Sequence, residues 1–253
     1  MQTVNNTDRS KRQPWLPRPE VPWRIRDVII VLAITALVPF TLALLWFGLK
    51  HLPLPAEAMK LLTNTQAVES VIDILTLVVE FGLLYWIVKK YHASRKELGL
   101  NGFSWWRFIL FVIGGLFLLT ASVILIFSIV VWLVPSFNAD QAQSNALTYG
   151  SNGVGLWLSF VAAVIIAPVV EELYFRGLIL PVFMRRFGTL FGIILTSLLF
   201  ALLHFQPNVV IYTFILAILL AVTRLRLKSV IPSIVLHAIN NLIAFSIIAG
   251  WIR

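Results

Sequence analysis

The chain has 253 residues, of which 59% are hydrophobic and 12% are charged, against about 45–50% and about 25% in soluble domains. With a mean hydropathy of +0.91, this composition excludes a soluble globular protein and a disordered one. Long apolar runs exclude a porin-like barrel, whose strands alternate. The absence of cysteine excludes a disulfide framework, a thiolate nucleophile and a Cys-based zinc site. A net charge of +9 in so apolar a chain indicates basic loops against anionic lipid headgroups, with no nucleic-acid partner.

The apolar runs predict an all-α fold, a polytopic transmembrane helical bundle of about seven to eight spans. A spanning helix needs about 20 apolar residues. Seven runs qualify or come close: Val28–Leu49, Val71–Val88, Phe108–Val134, Val154 to about Met184, Leu190–His204, Val209–Val222 and Val230–Trp251. The fourth run is long enough to hide an eighth, re-entrant segment between residues 171 and 188.

The first 27 residues are polar and rich in proline and arginine. We interpret 1–27 as a cytoplasmic tail, with Trp15 and Trp23 at the membrane interface, and 28–253 as a single integral membrane domain. A cytoplasmic N-terminus places sixteen of the twenty Lys and Arg residues inside, as the positive-inside rule requires. The loop Pro135–Gly153 has no Lys or Arg, which is typical of an exterior loop. The sequence therefore predicts a multi-pass cell-membrane protein with its N-terminus in the cytoplasm.

Acidic residues at the start of the second span form the first of two groups of charges in the spans. Glu69, Asp73 and Glu80 are spaced by four and seven residues, which puts them on one helix face. They fit either a proton path or plain polar contacts at the interface and inside the bundle. We favour the second interpretation, because no cationic partner lies nearby in the sequence.

The second group is denser and lies in the fourth span. Glu172 and Arg176 are four residues apart, so they can pair on one helix face. Glu171 points about 100° away from Glu172 and lacks that partner. Pro168 lies one turn earlier and predicts a kink in the helix, because it cannot donate the backbone hydrogen bond.

Histidines occur at the end of the fifth span and within the seventh. Phe200 and His204 are four residues apart, and so are His237 and Asn241, so each pair shares a helix face. Intramembrane His and Asn residues often serve only as hydrogen-bond partners between helices. Five ionisable groups on three helices are harder to explain by packing, and we interpret them as a functional site.

A short basic turn, Arg185–Gly188, joins the fourth and fifth spans and predicts an antiparallel hairpin. Glu171 and His204 are equally distant from this turn in sequence. At about 1.5 Å per residue they should lie at the same depth, roughly 20–25 Å from it. The spacing therefore predicts that this carboxylate and this imidazole meet.

These motifs resemble the CAAX-protease and bacteriocin-processing family of intramembrane endopeptidases, also called the abortive-infection family. The family pattern has three parts, and all three occur in order, each on its own predicted span. They are Glu171-Glu172-x-x-x-Arg176, Phe200-x-x-x-His204 and His237-x-x-x-Asn241. The resemblance covers about residues 154–245, which it marks as a protease-like core.

The resemblance implies hydrolysis of a peptide bond in a membrane-associated peptide or protein. In this interpretation Glu171 is the general base, His204 helps to hold the water, and His237 and Asn241 stabilise the oxyanion. Arg176 forms a structural ion pair with Glu172, the second carboxylate of the candidate catalytic set.

We favour chemistry without a cofactor. The alternative is a zinc site with Glu171, His204 and His237 as ligands and one open position.

Two other functions are compatible with the sequence. One is a non-catalytic membrane protein of the same family, acting in bacteriocin self-immunity or as a scaffold, although a scaffold has no need for both carboxylates. The other is a proton-coupled transporter, for which inverted repeats are typical; the sequence has no such repeat. The expected partners are a peptide or membrane-protein substrate and the lipid bilayer.

The predicted orientation can be tested by labelling single cysteines introduced into this cysteine-free chain. We expect a cysteine at Ser144, in the predicted exterior loop, to react with an impermeant maleimide added outside the cell. A cysteine at Ser94, in a predicted cytoplasmic loop, should react only after permeabilisation. The reverse pattern would contradict the orientation.

Overall fold

The computed structural model describes residues 19–138, 149–151 and 153–252, without the side chain of residue 61. These residues form eight helices and no strand, which confirms the predicted helical bundle. The helices are α1 Ile25–Leu49, α2 Ala56–Thr63, α3 Thr65–Tyr91, α4 Trp105–Leu133, α5 Gly153–Phe187, α6 Thr189–Leu202, α7 Pro207–Leu227 and α8 Ile231–Ile248. Trp15 and Ser144 lie outside the described residues.

Six of these helices, α1, α3, α4, α5, α7 and α8, are long and apolar enough to cross a membrane. The protein is therefore a multi-pass membrane protein, and its described residues contain six candidate spans, one fewer than the seven apolar runs that the sequence indicates. The difference is α6, whose 14 residues extend about 21 Å, short of a hydrocarbon core of about 30 Å. The short helix α2 lies between α1 and α3 and was not predicted.

Helix α5 is 35 residues long and contains two π-helical segments, Val161–Ile166 and Leu173–Ile179. Each segment ends two residues before a proline, Pro168 or Pro181. A proline cannot donate the hydrogen bond to the carbonyl four residues back, and a wider turn accommodates that loss. The predicted irregularity at Pro168 thus takes the form of a π-helical turn. The chain is helical from 153 to 187, so it has no separate re-entrant segment there.

The predicted hairpin between α5 and α6 is confirmed. Gly188 forms the turn with φ of +84°, a conformation that glycine adopts without strain. Gly192 lies against Met184 so closely that a Cβ at this position would come within 2.7 Å of the Met184 backbone. The two helices therefore pack tightly along the hairpin.

The bundle is centred on α5 and α7. Helix α7 packs against α4, α6 and α8, and α5 packs against α6 and α8. The outer helices present large apolar side chains to the outside, such as Phe117 and Trp132 of α4, which are 72% and 79% exposed. Such exposure is expected of surfaces that face lipid.

The segment before α1 is attached to α5 at the end that carries the basic turn. Trp23 is fully buried and donates its indole N–H to the carbonyl of Leu178 (2.8 Å). The guanidinium of Arg185 donates to the carbonyls of Val21 (2.8 Å) and Trp23 (2.6 Å). Trp23 is therefore a core residue, although the sequence suggested an interfacial one. A tryptophan is buried readily when its N–H finds an acceptor.

A buried carboxylate joins α1 to α3 nearby. Asp27 is fully buried and accepts hydrogen bonds from the ammonium of Lys90 and the hydroxyl of Tyr91, both at 2.6 Å. The backbone N–H of Arg24 also donates to it (2.8 Å). These bonds hold the first two spans together at one end.

Candidate active site

A buried ion pair on α5 forms the base of the candidate site. Nη1 of Arg176 donates to Oε1 of Glu172 at 2.7 Å, and both side chains are almost completely buried. Nη2 of Arg176 donates to the carbonyl of Ala217 on α7 (2.9 Å). The predicted pair is thus confirmed, and it also joins α5 to α7.

His237 of α8 lies between the two adjacent carboxylates. Its Nδ1 is 3.2 Å from Oε1 of Glu172, so it donates to that carboxylate. Its Nε2 is 3.7 Å from Oε2 of Glu171. The side chain of Glu171 is 34% exposed, whereas that of Glu172 is fully buried. The buried carboxylate therefore orients the ring, and the accessible carboxylate faces its other nitrogen.

The ring of Phe200 on α6 supports three of the predicted site residues. Its centroid is 5.7 Å from that of His237 and 5.3 Å from that of His204. The guanidinium of Arg176 lies 4.8 Å from the same ring, in a cation–π contact. Phe200 is therefore a packing centre of the site as well as the expected support of His204.

His204 lies at the edge of the site. Its Nδ1 is 3.2 Å from the carbonyl of Phe200, and because a carbonyl only accepts, this nitrogen carries the proton. The ion pairs within 4.0 Å that the described residues form do not include His204 with Glu171. Helix α6 ends at Leu202, so a constant helical rise does not extend to His204, and Glu171 meets His237 instead.

Asn241 connects α8 to the first π-helical segment of α5. Its side-chain Nδ2 donates to the carbonyl of Ala163 (2.9 Å), and its Oδ1 accepts from Nδ2 of Asn240 (3.3 Å). Asn240 accepts a hydrogen bond from the hydroxyl of Tyr212 on α7. An amide nitrogen has two hydrogens, so Asn241 keeps one donor beyond the bond to Ala163.

No pattern in the sequence indicates Tyr212, Asn240 or the Ala217 carbonyl as part of the site. Tyr212 and Asn240 bear no charge and follow no distinctive spacing. The role of Ala217 depends on its backbone oxygen alone, which is independent of side-chain type.

The three acidic residues of α3, Glu69, Asp73 and Glu80, have different surroundings. Glu69 is exposed, and Asp73 accepts a hydrogen bond from the hydroxyl of Tyr149 at 2.6 Å. Glu80 is close enough to Glu171 for their charges to interact, and its backbone carbonyl accepts from the hydroxyl of Tyr174 (3.1 Å). Of these three carboxylates, Glu80 is the one that interacts with Glu171 of the site, and it also interacts with Asp73.

The zinc alternative requires Glu171, His204 and His237 as ligands. In the part of the chain that the structure describes, no group of three or more His, Cys, Asp or Glu side chains is placed to hold a metal ion. Glu171 and His237 approach each other, but among the described residues no ion pair within 4.0 Å joins His204 to Glu171. In the described residues, these three side chains are therefore not arranged as a three-ligand zinc site.

The fold and the site define a helical membrane protein with a carboxylate–histidine centre inside its bundle. The family model described as "Rce1-like: Type II CAAX prenyl endopeptidase Rce1-like" matches residues 153–243. This segment contains all three motifs, so the match confirms the resemblance inferred from them. It supports, at the level of the family, a CAAX-type intramembrane protease. Comparisons with curated proteins and with solved structures gave no match.

The importance of the buried pair for stability can be tested with Glu172→Gln. The change leaves Arg176 as a buried cation without its carboxylate, and breaking such a pair costs about 3–5 kcal/mol. We expect a marked decrease in Tm of the purified protein in detergent. Glu172→Leu combined with Arg176→Met should recover much of the loss, because it removes both charges together. A Glu172→Gln variant as stable as the wild type would contradict this role.

Proposed function

We propose that this protein is an intramembrane endopeptidase that hydrolyses a peptide bond of a membrane-associated peptide or protein. The observation that carries the proposal is the position of His237 between an accessible carboxylate, Glu171, and a buried one, Glu172. These residues lie within the segment that matches the prenyl endopeptidase family.

Glu171 is the proposed general base. Its partial exposure lets water reach it, whereas Glu172 is fully buried and is already paired with Arg176. Glu171 takes a proton from the water while the water oxygen bonds to the carbon of the scissile carbonyl. Nε2 of His204 bears no proton when Nδ1 donates to the Phe200 carbonyl, so it can accept the second water hydrogen and orient the attack.

The tetrahedral intermediate carries a negative oxygen that needs donors. His237 in its imidazolium form can donate from both nitrogens, Nδ1 to Glu172 and Nε2 to the oxyanion. The second N–H of Asn241 is the other proposed donor, with the amide oriented by its bond to Ala163. Both donors sit on α8, one helical turn apart.

Collapse of the intermediate breaks the carbon–nitrogen bond. Glu171 passes the proton that it took from water to the leaving nitrogen, which departs as an amine. The other product is a carboxylic acid, and Glu171 returns to its ionised form. Glu171 thus carries the proton from water to the amine, and the reaction written in this way uses no cofactor.

We propose that this chemistry proceeds without a metal, and zinc is the alternative to be tested. The separation of His204 from Glu171 supports the first proposal, because it leaves Glu171 and His237 without a third ligand. The substrate is proposed to reach the site within the membrane of the cell, with the N-terminus of the enzyme in the cytoplasm.

The role of Glu171 predicts that Glu171→Gln is inactive but folded. The amide keeps the size of the side chain and cannot take a proton, and its position is accessible enough to tolerate the change. Peptides from membranes with the wild type and with Glu171→Gln are compared by mass spectrometry, and the new termini in the wild type identify the cleavage site. Glu69→Gln, at an exposed glutamate of α3, is the matched control. An active Glu171→Gln with a folded but inactive Glu172→Gln would mean that the two roles are exchanged.

The two mechanisms differ in what His237→Asn does. An amide still donates a hydrogen bond, so loss of an oxyanion donor should lower kcat by about 10²–10³ and leave activity measurable. His92→Asn, at an exposed loop histidine, should cleave like the wild type. Elemental analysis accompanies both assays, and we expect full activity in metal-stripped protein. Near-stoichiometric zinc, lost together with activity on chelation and restored with it, would establish the zinc alternative.

A further inference from the structure

A cavity lined by charged residues lies at the end of the bundle that the charge distribution assigns to the cytoplasm. It has a volume of about 430 Å³ and lies between the segment before α1, the α3–α4 loop and the end of α7. Its lining includes Lys96, Glu97, Asn101, Arg224 and Lys228. The residues assigned to hydrolysis do not contribute to it.

Arg224 is the central feature of this cavity. It is only 4% exposed, and the structure records no hydrogen bond or ion pair for its guanidinium with any described residue. Its Nε is buried without a partner. A buried cation without a counter-charge is unfavourable, so this side chain is suited to receive an anion.

The neighbouring backbone is shaped around the guanidinium. Gly99 has φ of +81°, and a Cβ at this position would lie 2.2 Å from Nη2 of Arg224. The loop is held by hydrogen bonds from Val230 N–H to the Gly99 carbonyl (2.8 Å), and from Ser229 hydroxyl to the Asn101 carbonyl (2.6 Å). The wall of the cavity beside the arginine is therefore held to the start of α8 by hydrogen bonds.

The charges around Arg224 favour an anionic ligand. Lys96 and Lys228 are exposed at the cavity and add two ammonium groups. Glu97 is engaged elsewhere, because its carboxylate accepts from the backbone N–H and the hydroxyl of Ser94 (2.6 and 2.8 Å). These bonds lower the pKa of Glu97 from its ordinary value. Glu20 also lines the cavity, and it forms no recorded ion pair with Arg224.

We propose that this cavity binds a phosphate group, supplied by the headgroup of an acidic phospholipid or by a soluble phosphate. The planar guanidinium is suited to bidentate contact with phosphate oxygens, and two lysines stand at the opening. Basic pockets between membrane helices on the cytoplasmic side bind anionic headgroups. The cavity borders the ends of spans α3, α4 and α7, which is the depth of the headgroups.

Binding by the purified full-length protein in detergent tests the proposal. Native mass spectrometry counts bound phosphatidylglycerol against phosphatidylcholine, and a thermal melt measures the effect of sodium phosphate alone. We expect the wild type to prefer phosphatidylglycerol, and Arg224→Gln to weaken that binding by about tenfold to a hundredfold, the range for a hydrogen bond to a charged group. A rise in Tm with sodium phosphate, abolished by Arg224→Gln, without selective lipid binding would instead identify a soluble phosphate ligand.

Two further variants distinguish a loss of the binding site from a folding defect and from a general effect of net charge. Arg186→Gln, at an exposed arginine near the α5–α6 turn, should bind like the wild type. Lys96→Gln combined with Lys228→Gln changes exposed positions only, so it should weaken binding without lowering the ligand-free Tm, even if Arg224→Gln fails to fold.

Other results would overturn the proposal. These are equal binding by wild type and Arg224→Gln with no effect of phosphate, an equal loss in Arg186→Gln, or wild-type binding by the double lysine variant. A ligand-free Tm lowered by Arg224→Gln in protein that still binds phosphatidylglycerol would assign the arginine a structural role.

Discussion

The ion pair between Glu172 and Arg176 is the constraint on which the site depends. Two charges inside an apolar bundle are unfavourable unless further hydrogen bonds complete their shells. Here the completing groups come from three other helices: the Phe200 ring of α6, the Ala217 carbonyl of α7 and the His237 ring of α8. These contacts bring α5, α6, α7 and α8 together at one point, and the same arrangement brings His237 to Glu171. Among the described residues, Oε2 of Glu172 and Nε of Arg176 remain without a hydrogen-bond partner.

Two adjacent glutamates receive opposite environments because a helix turns about 100° per residue. Glu172 faces the interior and Glu171 faces accessible space. The short α-helical stretch that carries them lies between two π-helical segments of α5. Irregular turns of this kind are frequent at functional sites. In this protein the first segment also presents the Ala163 carbonyl to Asn241, so the irregular backbone fixes a side chain as well as accommodating Pro168.

The features that the sequence predicted correctly depend on the spacing of residues along one helix or on a single turn. The Glu172–Arg176 pair and the support of His204 by Phe200 follow from a four-residue spacing, and the hairpin follows from a glycine turn. The meeting of Glu171 with His204 required a constant rise along two helices, and that assumption failed where α6 ended at Leu202. The contacts of His237 with both carboxylates join residues about 65 positions apart, and no local pattern encodes such a pairing.

Arg176 and Arg224 are both buried in an apolar protein, and the difference between them is informative. Arg176 has a carboxylate, a backbone carbonyl and an aromatic face as partners, so the fold itself compensates its charge. Arg224 has none of these among the described residues, yet Gly99 leaves room for its guanidinium where any side chain would collide. An arginine whose charge the fold compensates holds helices together. An arginine that the fold accommodates but leaves without a counter-charge is suited to receive an anion from outside the chain.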